Sequence, residues 1–163
     1  MTAATATRGK PARAVARTME HPVACTGARL RRVTRRVTAF YEHHMRATGL
    51  KLTQYSLLVQ LSETPQPLSA LAARMEIDRT TLTRSLKPLL DQGAVVQSAG
   101  ADARQKLFSL TRSGARLREQ ARGQWRHAQL ALERHLGRDF VMDLHDRLEL
   151  ALARLKPALP EDN

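Results

Sequence analysis

The stretch LSALAARMEIDRTTLTRSLKPLLDQGAVVQSAGADARQKLFSLT, Leu68 to Thr111, carries the patterns from which the fold follows. Leu68, Leu71, Ala72 and Met75 recur at the three-four spacing that lines one face of a helix. Glu76-Ile77-Asp78 then makes a turn, with Ile77 as an apolar anchor. Asp78 is an N-cap whose carboxylate can accept the free backbone N–H groups of the next helix. That second helix puts Leu82, Leu86, Leu89 and Leu90 on its inner face and turns Arg79, Thr80, Thr81, Thr83, Arg84 and Lys87 outward. The outward set holds no carboxylate and no large apolar group. It suits a DNA major groove, where hydroxyls and bidentate arginines reach base edges and phosphates. Pro88 deletes the hydrogen bond its N–H would have made to the Arg84 carbonyl, so a bend is expected behind the outward half.

Gly93 follows as a left-handed helix terminator. Two strand-like runs, Ala94 to Gln97 and Lys106 to Leu110, then flank the polar loop Ser98 to Gln105. Two helices, a tight turn and a hairpin give a winged helix-turn-helix, in a fold that is mainly α with a small β-wing. DRTTLTRSLKPLLDQG followed by DARQKLFSLT resembles the MarR family of bacterial transcription regulators. With the flanking helices, the resemblance covers roughly Cys25 to Leu155. It implies a DNA-binding lobe carried on a helical dimerisation region. It also implies a wing in which Asp102 orients Arg104 into the minor groove beside the recognition helix.

The chain has 163 residues, enough for one domain with a real core. Lys plus Arg number 27 against 15 Asp plus Glu, a net charge of +12, as expected of a polyanion binder. The excess does not mark the groove-facing helix. Residues 1–36 hold nine basic residues against Glu20 alone, whereas residues 74–106 hold six basic against four acidic. Placement of Arg79, Arg84, Lys87 and Arg104 therefore carries the DNA argument. No apolar run is long enough to span a bilayer or form a secretory signal core, so a cytoplasmic location and no membrane partner are expected. One cysteine excludes an internal disulfide framework and fits a reducing compartment.

Residues 1–23, rich in Ala, Thr and Arg without apolar periodicity, read as a disordered basic arm. Such an arm can strengthen DNA binding through counterion release, can resemble a transit peptide, or can do nothing specific. Residues 24–157 read as the winged-helix domain. Its dimerisation helices span about 25–48 and 112–156, its DNA-binding lobe about 53–111, and residues 158–163 form a tail. Arg29 to Thr48 is an amphipathic helix with Leu30, Val33, Val37, Phe40, Tyr41 and Met45 on one side and an arginine cluster on the other, ended by Gly49. Thr53 is expected to cap a helix over Gln54 to Ser62 that buries Tyr55, Leu58, Val59 and Leu61. Thr64-Pro65-Gln66-Pro67 breaks the chain. Thr111 caps a long helix carrying Leu117, Ala121, Trp125, Ala128 and Leu132. After Gly137 a second stripe runs from Phe140 through Val141, Leu144, Leu148 and Leu152 to Leu155. Two apolar stripes exceed what one small winged helix can cover, and a two-fold homodimer is the economical solution.

No catalytic signature occurs, so no enzyme is expected, and no cofactor or metal site is assigned. The six histidines make no i, i+4 pair of zinc-ligand spacing. Cys25, before the arginine-rich helix, is a redox candidate because a helix N-terminus and Arg29 can favour its thiolate; an inert thiol is the other reading. The family resemblance implies an effector pocket where the first, second and fifth helices meet. Tyr41, His44, Tyr55 and Trp125 are its candidate ligand-binding residues, each equally readable as core. Arg46 or His44 is available for an aromatic carboxylate. The expected function is a DNA-binding repressor that binds a pseudo-palindromic operator as a homodimer and is released by a small aromatic or phenolic effector. The alternatives are a sequence-indifferent architectural DNA-binding protein and a redox-sensing regulator acting through Cys25.

Overall fold

The computed structural model describes residues 25–100, 102 and 105–155. The expected basic arm, the tail and Arg104 lie outside them. The chain divides into two units, Met1–Phe40 and Tyr41–Asn163. Helix α1 (Thr26–Met45) begins in the first unit and ends in the second. Leu30 and Val33, expected on its buried side, are 47% and 49% exposed. Burial along α1 becomes complete at Tyr41 and Met45. A short 3-10 turn, Arg46–Thr48, closes on Gly49.

Helix α2 (Leu52–Gln60) starts earlier than its expected Thr53 cap. The capping residue is Lys51, whose backbone N–H donates to Gln54 Oε1 at 2.7 Å. Gln54 reaches back from the third helical position, which satisfies an orphan donor without a short hydroxyl at the cap. Val59, expected to be buried, is 51% exposed, and Leu57 takes the inner position instead. Strand β1 (Gln66–Pro67) is followed by helices α3 (Leu68–Met75) and α4 (Arg79–Asp91). Strands β2 (Val95–Ala99) and β3 (Lys106–Leu110) then lead into helices α5 (Arg112–Leu136) and α6 (Arg138–Leu155). Helix α4 runs unbroken through Pro88.

The sheet is antiparallel in the order β1-β3-β2. The segment Thr64 to Pro67, read as a break, thus supplies a short edge strand in which Gln66 pairs with Phe108. A proline is tolerated there because an edge strand leaves one side unpaired. β2 extends two residues beyond the expected Gln97, and Ser98 and Ala99 pair with Leu107 and Lys106. Ladder bonds are made by backbone, so small polar residues do not reveal where pairing ends. Leu57, Leu58, Leu71, Leu82, Leu86, Leu89, Val95 and Phe108 join one core between the helices and this sheet.

Thr111 ties the hairpin to α5. Its N–H donates to the Ala94 carbonyl at 3.1 Å, its hydroxyl donates to the Gly93 carbonyl at 2.8 Å, and its Oγ1 accepts from the Gly114 N–H at 3.0 Å. Gly137 ends α5 with φ of 88°. Val141 of α6 is buried, whereas Phe140, Leu148, Leu152 and Leu155 remain 56%, 40%, 54% and 56% exposed. No helix among the described residues is long and apolar enough to cross a membrane.

Candidate nucleic-acid interface

The turn between α3 and α4 is built locally. Glu76 takes the left-handed conformation at φ of 51°, and the Ile77 N–H returns to the Ala72 carbonyl at 3.2 Å. Asp78 then caps α4: Oδ1 accepts the Thr81 N–H at 2.9 Å and Oδ2 accepts the Thr81 hydroxyl at 2.6 Å. The Thr81 hydroxyl, followed by its N–H, holds the Asp78 carboxyl below the usual range. Leu82, Leu86 and Leu89 are buried beneath, with Leu90 and Ile77 half-buried against the same core. These anchors fix the rotation of α4 about its axis, and Arg79, Thr80, Thr81, Thr83, Arg84 and Lys87 are all exposed.

The hydroxyls are not equivalent. Thr81 spends its proton on Asp78, and Thr83 donates to the Arg79 carbonyl at 2.7 Å. Both therefore offer methyl groups and lone pairs rather than donors. Lys87 pairs with Asp91 at 3.0 Å across an exposed i, i+4 step, a contact weak enough to yield to a phosphate.

At the start of α4, Arg79 shares a cleft of about 240 Å³ with Pro67, Leu68, Ser69, Gln105 and Lys106. The fold thereby brings the base of the wing and the start of α3 beside the recognition helix. Ser69, Gln105 and Lys106 were not selected from the sequence. They lie 10 to 27 positions from Arg79 in the chain, and the β1–β3 pairing helps to draw them together. At the wing tip the Gly100 N–H donates to the Gln105 carbonyl and the Gln105 N–H to the Asp102 carbonyl, each at 2.8 Å. Asp102 is exposed there; its expected partner, Arg104, falls outside the described residues.

The four expected effector residues fall into separate groups. Tyr41 donates to Gln129, whose Nε2 donates to Glu133 at 2.9 Å. Burial first, and Glu133 second, push the Tyr41 hydroxyl up. His44 lies edge-on to His43 and His127, at 5.4 Å and 6.0 Å between ring centroids. Tyr55 and Trp125 pack with centroids 6.2 Å apart. Of the four, Tyr55 lines a cleft, of about 300 Å³, with Val59, Arg118, Glu119 and Arg122. Neither Arg46 nor His44, the expected carboxylate partners, is among its lining residues.

Cys25 is exposed, and the backbone N–H groups of Ala28 and Gly27 hold its thiol below the ordinary value, with a smaller contribution from Arg31 rather than the expected Arg29. Among the described residues no group of three or more His, Cys, Asp or Glu side chains converges as a metal site.

The family model for the MarR family matches residues 48–105. The transcriptional regulator MosR of M. tuberculosis, solved in complex with DNA, is 34% identical. That match spans 79% of this chain and 97% of MosR, with a TM-score of 0.67. The transcriptional repressor CouR bound to a 23-mer DNA duplex is 24% identical over 82% of this chain and 96% of its own, with a TM-score of 0.72. CouR from Rhodococcus jostii RHA1 bound to p-coumaroyl-CoA is 24% identical over 88% of this chain and 99% of its own, with a TM-score of 0.64. No curated protein matches the sequence significantly. With the capped recognition helix, the antiparallel wing and these likenesses in agreement, the chain belongs to the MarR family of DNA-binding transcriptional regulators.

Proposed function

We propose that this protein is a repressor that binds a pseudo-palindromic operator as a homodimer and leaves it when a small organic effector binds. In this reading Arg79, Thr80, Thr81, Thr83 and Arg84 enter the major groove, Lys87 meets a phosphate, and Arg104, oriented by Asp102, enters the minor groove. The outer face of α4 carries the reading: from Arg79 to Lys87 its exposed residues are cationic or small, and its rotation is set by three buried leucines. The cleft at Arg79 adds Ser69, Gln105 and Lys106 as backbone contacts.

The dimer is supported by α6, whose exposed Phe140, Leu148, Leu152 and Leu155 form a stripe too apolar to face water alone. Residues 112–156 and the first helix make up the dimerisation region, and residues 53–111 the DNA-binding lobe. Effector control is supported by the CouR complex with p-coumaroyl-CoA, a ligand of that protein.

Enrichment from a random duplex library at about 0.15 M salt, where exposed long-range attraction is largely screened, tests the proposal. The expected product is a pseudo-palindrome with half-site centres about 10 base pairs apart. Arg104→Ala should weaken binding to it by about 1 to 3 kcal/mol. Binding without a recovered motif would replace the repressor with an architectural DNA-binding protein.

A further inference from the structure

We propose that Thr81, and with it Thr83, reads thymine in the operator by packing its methyl group against the C5-methyl of the base. The inference rests on the DNA-binding reading above and names the base that these positions select. In the major groove guanine offers the acceptors N7 and O6, adenine an acceptor and a donor, and thymine the O4 acceptor and a methyl group. A threonine can suit any of these, because its Cβ carries a hydroxyl on one branch and a methyl on the other. What the hydroxyl already does inside the protein therefore decides which base it meets.

On α4 the hydroxyl protons are committed. Asp78 Oδ2 accepts the Thr81 hydroxyl at 2.6 Å, and Oδ1 accepts the Thr81 N–H at 2.9 Å. The Thr81 hydroxyl first, and its N–H second, hold the Asp78 carboxyl below the usual range, so this group is charged at neutral pH. An ionised carboxylate only accepts hydrogen bonds, which makes Thr81 the donor. A charge-assisted bond is roughly twice as strong as a neutral one. Turning this hydroxyl toward a base acceptor would exchange the stronger bond for a weaker one and take the cap from α4. Thr83 donates to the Arg79 carbonyl at 2.7 Å, and a carbonyl likewise only accepts. Neither threonine has a proton left for N7 or O6 of a purine, whereas both methyl branches are free to meet a base.

Position favours the same partner. Thr81 is the third residue of α4, in the N-terminal part of the recognition helix that contacts base edges in helix-turn-helix proteins. Leu82, between the two threonines, is buried with Leu86 and Leu89, and both threonines are exposed. Arg84 stands three residues beyond Thr81, on a neighbouring part of the helix surface, and is exposed. A cation there holds the polyanion against this face, so that the methyl contact closes without water.

The operator recovered by the enrichment above is resynthesised with deoxyuridine replacing each thymine of a half-site in turn. This removes the C5-methyl and leaves base pairing unchanged. Affinity is read by fluorescence anisotropy at about 0.15 M salt. At one position or more the replacement should weaken binding by the parent about fourfold, the loss expected for one buried methyl group. Thr81→Ser keeps the hydroxyl that the cap uses and removes only the methyl. It should bind the thymine operator about fourfold more weakly and be indifferent to deoxyuridine at one of those positions. Thr83→Ser should behave in the same way at a second thymine. Lys87→Gln, at the proposed phosphate contact, should weaken binding to thymine and deoxyuridine operators by the same factor. Half-sites without thymine, deoxyuridine tolerated at every position, or serine variants as sensitive to deoxyuridine as the parent would overturn the inference and leave the repressor reading standing. A Lys87→Gln variant indifferent to deoxyuridine would trace the effect away from the threonines and overturn it too. Failure to recover any motif would overturn both readings.

Discussion

Gly114→Ala and Gly123→Ala make the same change on the same helix, α5, and should move stability in opposite directions. At Gly123 an added methyl meets nothing within 4 Å. The gain is then the ordinary helix preference of Ala over Gly, about 1 kcal/mol. At Gly114 the new Cβ would stand 1.9 Å from the Ala94 carbonyl oxygen, 2.8 Å from its carbon and 2.9 Å from Leu110 Cδ1. A backbone carbonyl cannot rotate away as a side chain can. It is also the acceptor for the Thr111 N–H and hydroxyl, both at 3.1 Å. Overpacking at the upper end of its usual cost, about 3 kcal/mol, and roughly 1 kcal/mol for a weakened hydrogen bond outweigh the helix gain of about 1 kcal/mol. The net is a destabilisation of about 2 to 3 kcal/mol. For a chain of this size that lowers Tm by roughly 5 to 10 °C, against a rise of about 2 to 4 °C for Gly123→Ala. Thermal unfolding followed by circular dichroism at one fixed protein concentration reads both. A Gly114→Ala protein that melts at or above the parent would refute the close approach of α5 to the start of β2.

Asp78 titrates below the usual range in the folded state, so its contribution is full above the ordinary carboxylate value and is lost as pH falls through the folded one. The Tm difference between parent and Asp78→Asn should shrink as pH drops below about 4, and a constant difference would remove the carboxylate from the cap. The Cys25 thiol is lowered, so the pH profile of its alkylation rate should reach half-height below that of free glutathione. A profile matching glutathione would leave Cys25 an ordinary thiol. Leu148→Glu should convert the proposed homodimer to monomer in sedimentation and abolish tight operator binding, because it places a charge in the exposed α6 stripe; a dimer left intact would put the interface elsewhere.

Features that depend on neighbouring residues were legible in the sequence. Leucine spacing gave α4 and its inner face, Asp78 announced the cap that accepts from Thr81, Thr111 the cap that accepts from Gly114, and Gly93 and Gly137 the helix ends. Each of these signals acts within one or two helical turns, so a pattern of a few residues carries it. The order of those elements, with the wing after α4, was enough to indicate the winged helix and its family. Placement at longer range was decided by tertiary structure. Thr64 to Pro67 reads as a breaker, yet Gln66 pairs with Phe108 because β3 offers a free edge. Gly114 looks like any helical glycine until Ala94 is brought against it. The family resemblance suggested one pocket for Tyr41, His44, Tyr55 and Trp125; their partners, Gln129 for Tyr41, His127 for His44 and Trp125 for Tyr55, and the place of Arg118 and Arg122 beside Tyr55 are set by helix packing. Local periodicity indicates the inward face where packing covers it, as on α4, and fails where packing does not, as at Leu30, Val33 and Val59; which other element meets a face depends on contacts made across tens of residues, and no short pattern encodes them.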